Sequence, residues 1–118
     1  MYRRGALLIL LFALALPGVA AADGQAETEV TYLLQFVAAS GCTFVRNGDS
    51  HHSAEAADHL RMKYKRGRRY ADTAEQFIDR LASNSSWSGK PYTVTCAGKT
   101  EASSAWLHRA LEAYRQAG

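Results

Sequence analysis

The 118-residue chain has two cysteines and two prolines, and it lacks a C-x-x-C pair, a second long apolar run and any low-complexity linker. Cysteines as widely spaced as Cys42 and Cys96 make poor zinc ligands, because structural zinc sites gather four ligands, usually in closely spaced pairs. Beyond residue 22 no apolar stretch approaches the roughly 20 residues that a bilayer span requires. The length excludes a dinucleotide-binding domain joined to a substrate domain, and it excludes a closed α/β barrel. No internal repeat is visible along the chain.

Charge of one sign is also scarce. Fourteen Lys and Arg face eleven Asp and Glu, for a formal charge of +3. Two of those arginines, Arg3 and Arg4, open an N-terminal segment in which Ala6 to Leu16 is unbrokenly apolar. Pro17-Gly18 then breaks the run, and Ala20-Ala21-Ala22 supplies small residues suited to signal-peptidase cleavage. Residues 1–22 therefore read as a cleavable signal peptide and 23–118 as a single domain. No cysteine lies near the cleavage point to carry a lipid, so the expected mature form has no membrane span. Its formal charge is only +1, and a case for nucleic-acid binding loses its main support. The local cluster Arg61, Lys63, Lys65, Arg66, Arg68 and Arg69 reads as the solvated end of a helix, where cations suit the dipole.

A domain of 96 residues buries only about 60–65% of its unfolded surface. Export into an oxidising compartment makes a disulfide a natural supplement, and Cys42 with Cys96 can form one.

Four helices and two strands are expected in the mature chain. Val30, Leu33, Leu34 and Val37 fall at i, i+3, i+4, i+7, predicting a helix from about Glu27 to Ala39 that stops at Ser40-Gly41. Cys42 to Arg46 alternates as a half-buried strand before the turn Asn47-Gly48-Asp49. A second helix starts with Ser53 as its cap, turns Ala57, Leu60 and Tyr64 inward, and stops at Gly67. Thr73-Ala74-Glu75-Gln76 is a capping box that opens a third, with Phe77, Ile78, Leu81 and Ala82 apolar. Ser83 to Pro91 is polar apart from Trp87 and reads as an ordered loop. Tyr92 to Cys96 alternates as the second strand. Ser103 or Ser104 then caps a last helix with Trp106, Leu107, Ala110, Leu111 and Tyr114 on its apolar face. The order gives a small α+β domain, about four helices on a short two-stranded antiparallel sheet.

Four motifs follow one another in a fixed order: Phe44-Val45-Arg46-Asn47-Gly48, His59-Leu60-Arg61-Met62-Lys63, Thr73 to Ile78, and Ser83 to Tyr92. In these the chain resembles the small exported proteins of Gram-negative bacteria grouped as domain of unknown function 5329. The resemblance spans nearly the whole mature chain. It implies export to the periplasm and one compact domain, and it carries no activity with it.

The chemistry-bearing residues exclude more than they assign. Ser88-Gly89-Lys90-Pro91 is half a phosphate loop, but Asn84 and Pro91 stand where the motif needs Gly and Ser/Thr. His52, Glu55 and His59 sit at i, i+3, i+7 with Asp49 and His51 nearby, a set whose chemistry would suit zinc or copper. The first and last of the three would lie about 10 Å apart along a helix axis. Metal binding through His51, His52 and His59 is therefore kept as an alternative. So is a small hydrolase using Ser85, Ser86 or Ser88 with His59 as base and Glu75 or Asp79 orienting it. Neither a G-x-S-x-G elbow nor an S-x-x-K motif is present. The sequence favours a non-catalytic binding module of the cell envelope, without a cofactor, whose partner is an envelope protein, peptide or glycan. Trp87, in a polar loop with no periodic reason to be buried, is its main signal.

An antiparallel register with Cys42 opposite Cys96 places Phe44 against Val94 and Arg46 against Tyr92. Opposed residues share a face, so Cys42, Phe44, Tyr92, Val94 and Cys96 would form one apolar face beneath the helices. The other end of the strand pair would then gather Arg46, Asn47, Ser85, Ser86 and Lys90, with His59 reaching them from the second helix and Trp87 on the same loop, either as a binding site or as side chains that only tie the two loops together.

Overall fold

The computed structural model describes residues 18–118, with side chains from Gly24 onward. The signal peptide expected over residues 1–22 lies largely outside the described residues. Helix α1 (Gly18–Ala39) is followed by strands β1 (Thr43–Arg46) and β2 (Asp49–His52), then by α2 (Ser53–Arg66) and a single 3-10 turn, Arg68–Tyr70. A short α-turn, α3 (Ala74–Gln76), continues as a π-turn, Phe77–Leu81. Strands β3 (Thr93–Cys96) and β4 (Lys99–Ala102) and helix α4 (Ser103–Ala117) complete the α+β domain. No helix among the described residues is long and apolar enough to cross a membrane.

The sheet has four strands rather than the two expected, in the order β2-β1-β3-β4. Asp49-Ser50-His51-His52 and Lys99-Thr100-Glu101-Ala102 have no apolar alternation to announce them. Each is an edge strand drawn into the sheet by a two-residue turn, Asn47-Gly48 or Ala97-Gly98. All four turn residues have positive φ, at 52°, 84°, 51° and 80°, the hairpin geometry that matches strand twist. The central pair is antiparallel with Phe44 opposite Val94 and Thr43 opposite Thr95. That register brings Cys42 and Cys96 together, and they are bonded, with Cα atoms 4.7 Å apart. Phe44, Tyr92 and Val94 are buried with Cys42 on the face that the helices cover, and Cys96 packs at its margin.

The pairing also exposes an internal repeat that the linear sequence conceals. Thr43, Phe44, Gly48, Ser53 and Tyr64 recur as Thr93, Val94, Gly98, Ser103 and Tyr114, each fifty positions later and at the same place in a β-hairpin-helix unit. Upstream, the buried Val30, Leu33, Leu34 and Val37 of α1 answer to the buried Ala74, Phe77, Ile78 and Leu81. A pseudo-twofold axis passes through the Phe44–Val94 pair and exchanges the halves. The repeat is hidden because the core partners trade volume: Ala56 and Ala57 correspond to Trp106 and Leu107, whereas Leu60 corresponds to Ala110. All six are buried.

The serines expected as helix caps serve this symmetry instead. Ser53 Oγ donates to the Ala38 carbonyl at 3.1 Å, and Ser103 Oγ donates to the Ala82 carbonyl at 2.9 Å. Each satisfies a carbonyl orphaned at the end of the preceding helix. His52 caps α2 in place of Ser53, its Nδ1 accepting from the Glu55 amide at 3.4 Å. Ala102 stands at the cap of α4 without a side-chain bond. Thr73 Oγ1 does cap α3 by accepting from the Gln76 amide, while the Gln76 side chain reaches one residue further than expected, to the Asp72 amide.

Candidate functional site

The two halves differ most in one connection. Five positions separate Ala38 from Thr43, but eleven separate Ala82 from Thr93. The six extra residues enlarge the Ser83–Pro91 loop, and that loop forms one wall of a cleft of about 720 Å³. The end of β1, one face of α2, and Tyr70, Arg80 and Leu81 from the turns that follow it form most of the rest.

Hydrogen bonds hold the loop tightly. The Tyr92 amide donates to Ser83 O at 2.8 Å, the Ser85 amide to Lys90 O at 2.9 Å, and the Gly89 amide to Ser85 O at 2.9 Å. Ser85 is buried, and its hydroxyl accepts from the Trp87 and Ser88 amides, both at 3.2 Å, and from Asn47 Nδ2 at 3.1 Å. Asn47 Oδ1 accepts from Ser88 Oγ. One amide side chain on the β1–β2 turn thus clasps the loop with both of its polar atoms. This rigid loop leaves Trp87 89% exposed.

Arg46, Asn47, His59, Ser85, Ser86 and Trp87 all line the cleft, whereas Lys90 does not. Lys90 follows the tip of the loop, exposed, its amide donating to Ser88 Oγ. Sequence reasoning missed Lys63, Arg66 and Arg80, which line the same cleft together with Met62, Tyr70 and Tyr92. The signal for part of the set was present. His59, Met62, Lys63 and Arg66 fall at i, i+3, i+4, i+7, a single stripe of α2. The charges of Lys63 and Arg66 read as an ordinary helix end until the loop closes over Lys63.

Lys63 is the most unusual member, at 8% exposure. Its Nζ donates to Asn84 O and to Tyr92 Oη, each at 3.0 Å. The Tyr92 hydroxyl then has its proton free for His59 Nε2, 3.3 Å away. Burial, with the Arg46 charge adding to it, lowers the Lys63 ammonium to a pKa of about 8. Burial also lowers His59 to about 4, assisted by the charges of Arg46, Lys63 and His51, so its ring is neutral at physiological pH. Burial raises the Tyr92 phenol. Buried charge is costly without a partner. Yet among the described residues no Asp or Glu lines the cleft, and the buried Lys63 makes no ion pair there, nor do the more exposed Arg46, Arg66 and Arg80.

The constellations for the two alternatives come together differently from their sequence spacing. His59 faces Tyr92 rather than a serine, and the Ser85 hydroxyl is occupied by three donors. Asp79 binds His108 at 2.8 Å, and Glu75 binds Arg115, so neither orients His59. His51 pairs with Glu55 at 3.0 Å while His52 caps α2. No three His, Cys, Asp or Glu side chains converge among the described residues.

The family model described as "Family of unknown function (DUF5329)" matches residues 24–115. The "Uncharacterized protein YfeK" of Salmonella typhimurium is 45% identical over 85 residues, 71% of each chain. No solved structure matches.

Proposed function

The chain belongs to this family, DUF5329, and we propose that it is a non-catalytic binding module of the periplasm whose ligand enters the cleft beneath Trp87. The observation that carries this reading is an indole left 89% exposed by a loop whose backbone amides from Ser85 and from Trp87 to Lys90 are bonded within it. Aromatic anchors held rigid before binding gain contact area at little ordering cost. The occupied Ser85 hydroxyl and the His59–Tyr92 contact support binding over nucleophilic catalysis. A periplasmic location is supported by the leader-like residues 1–22 and by a disulfide suited to an oxidising compartment.

A photo-crosslinking residue in place of Trp87, introduced in living cells, tests the reading. Adducts at position 87 and none at the exposed Lys99 of the edge strand are expected. Equal labelling at both positions, or none at either, overturns the binding reading. For the location, the protein recovered from the periplasmic fraction should begin at Asp23. Recovery of the uncleaved chain from the cytoplasm overturns that part.

A further inference from the structure

We propose that the cleft takes an acidic saccharide, its carboxylate or phosphate held by Arg46, Lys63 and Arg66 and a sugar ring lying against Trp87. The inference deepens the binding reading above and rests on it.

The charge of the cleft argues for the anion. Among the described residues four cations line it and no carboxylate does. Arg46 and Arg66 take no hydrogen-bond partner among the described residues, which leaves their guanidinium forks free for a planar oxyanion. Lys63 spends two of its three protons on Asn84 O and Tyr92 Oη and keeps one. A partly enclosed site lined by one sign of charge concentrates counter-ions of the other. Net charge does not produce this field, since the domain from Asp23 onward is nearly neutral. The field comes from placing the acids elsewhere: Glu29 and Glu75 bind Arg115, and Glu101 binds Arg109.

The walls argue for a ring rather than an extended peptide. Recognition of a peptide by strand addition needs a row of unpaired backbone groups. The loop instead pairs with itself, through the Asn84–Pro91 bridge and the Ser85–Lys90 bond. What it presents is the indole of Trp87, an apolar plate beside cations, and the volume is that of a small-molecule site.

Calorimetric titration of the purified protein tests this with defined probes. These are the disaccharide of N-acetylglucosamine and N-acetylmuramic acid, its neutral counterpart diacetylchitobiose, and glucosamine phosphorylated on its primary hydroxyl. Acetyl-lysyl-D-alanyl-D-alanine and adenosine monophosphate complete the set. At least one acidic sugar should bind about tenfold or more tightly than diacetylchitobiose, with charge-assisted bonds supplying the difference. Which one wins separates carboxylate from phosphate. Arg46→Gln and Arg66→Gln, at unchanged melting temperature, should each weaken it by about tenfold. Added salt should weaken it further.

Equal binding of diacetylchitobiose overturns the anion, and tighter binding of the peptide or the nucleotide overturns the sugar. In either case the cleft remains a binding site. If no probe binds at millimolar concentration while position 87 still crosslinks, the saccharide proposal falls and the module stands. If crosslinking fails as well, both fall.

Discussion

Arg46 in β1 and Cys96 in β3 occupy equivalent positions in the two halves of the molecule, fifty residues apart. The register that sets Cys42 opposite Cys96 sets Arg46 opposite Tyr92 at the other end of the same strand pair. The pseudo-twofold axis therefore places the cleft where the repeat would put the disulfide. One end of the sheet is closed covalently. The other is opened by the six extra residues of the second half and lined with cations.

The covalent end should govern stability. The bond closes a sequence separation of 54 residues, for which loop-closure entropy gives about 4 kcal/mol. A Cys42→Ser/Cys96→Ser double variant should lose stability of that order in urea titration. Reductant should lower the melting temperature of the parent protein and leave the double variant unaffected.

His59 gives stability an acid-side pH dependence. Its folded pKa, about 4, lies below the ordinary 6.5, so between these values the unfolded chain takes up the proton first. Stability from this group is complete above pH 6.5 and is lost as pH falls towards 4. Glu29 and Glu75, lowered chiefly by their bonds to Arg115, add losses below their ordinary 4.5. The groups that face His59 are Arg46, Lys63, His51 and Tyr92, and none of them supplies a negative charge below pH 6.5. His59→Gln should flatten the slope between pH 6.5 and 4.5 while leaving the more acidic part. Denaturant titration across pH checks this, and an unchanged slope contradicts the assignment.

Arg115 ties three elements together. Its guanidinium binds Glu29 of α1 at 2.8 and 2.9 Å and Glu75 of α3 at 2.6 and 3.1 Å. Glu29 is only 4% exposed, so Arg115→Ala strands a buried carboxylate. We expect a loss of about 2 kcal/mol, less than for a fully enclosed pair because a third of Arg115 meets water. Adding Glu29→Gln should recover part of that loss in thermal melts. A single variant as stable as the parent refutes the coupling.

The two hairpin turns are unequally suited to their backbone. Asn47 and Ala97 both lie near φ +50°, where asparagine is accommodated and alanine is strained. Ala97→Asn should raise stability by about 0.5–1 kcal/mol. Asn47→Ala should cost more than the reverse of that gain, since it also removes both bonds that clasp the Ser83–Pro91 loop. Thermal melts and proteolysis of that loop report the two effects separately.

Much of the fold was legible in the linear order of residues because local forces set it. The stripe Val30, Leu33, Leu34, Val37 needed only helical periodicity. Thr73 and Gly67 marked helix ends through backbone hydrogen bonding. The cysteine pair implied the β1–β3 register, and with it the buried face of Phe44, Tyr92 and Val94. Placing Arg46, Asn47 and the polar loop at one end followed from the same register. Tertiary structure alone decided the rest. Strands β2 and β4 carry no strand-like pattern of their own, and they become strands because a turn folds them onto a partner. The repeat is invisible in side-chain identity because buried volume is conserved across the axis rather than at each position. Lys63 gains its meaning from the tertiary structure as well. Electrostatic environment depends on distance through space, and only the closing of the loop over α2 removes the water that would otherwise have made that charge ordinary.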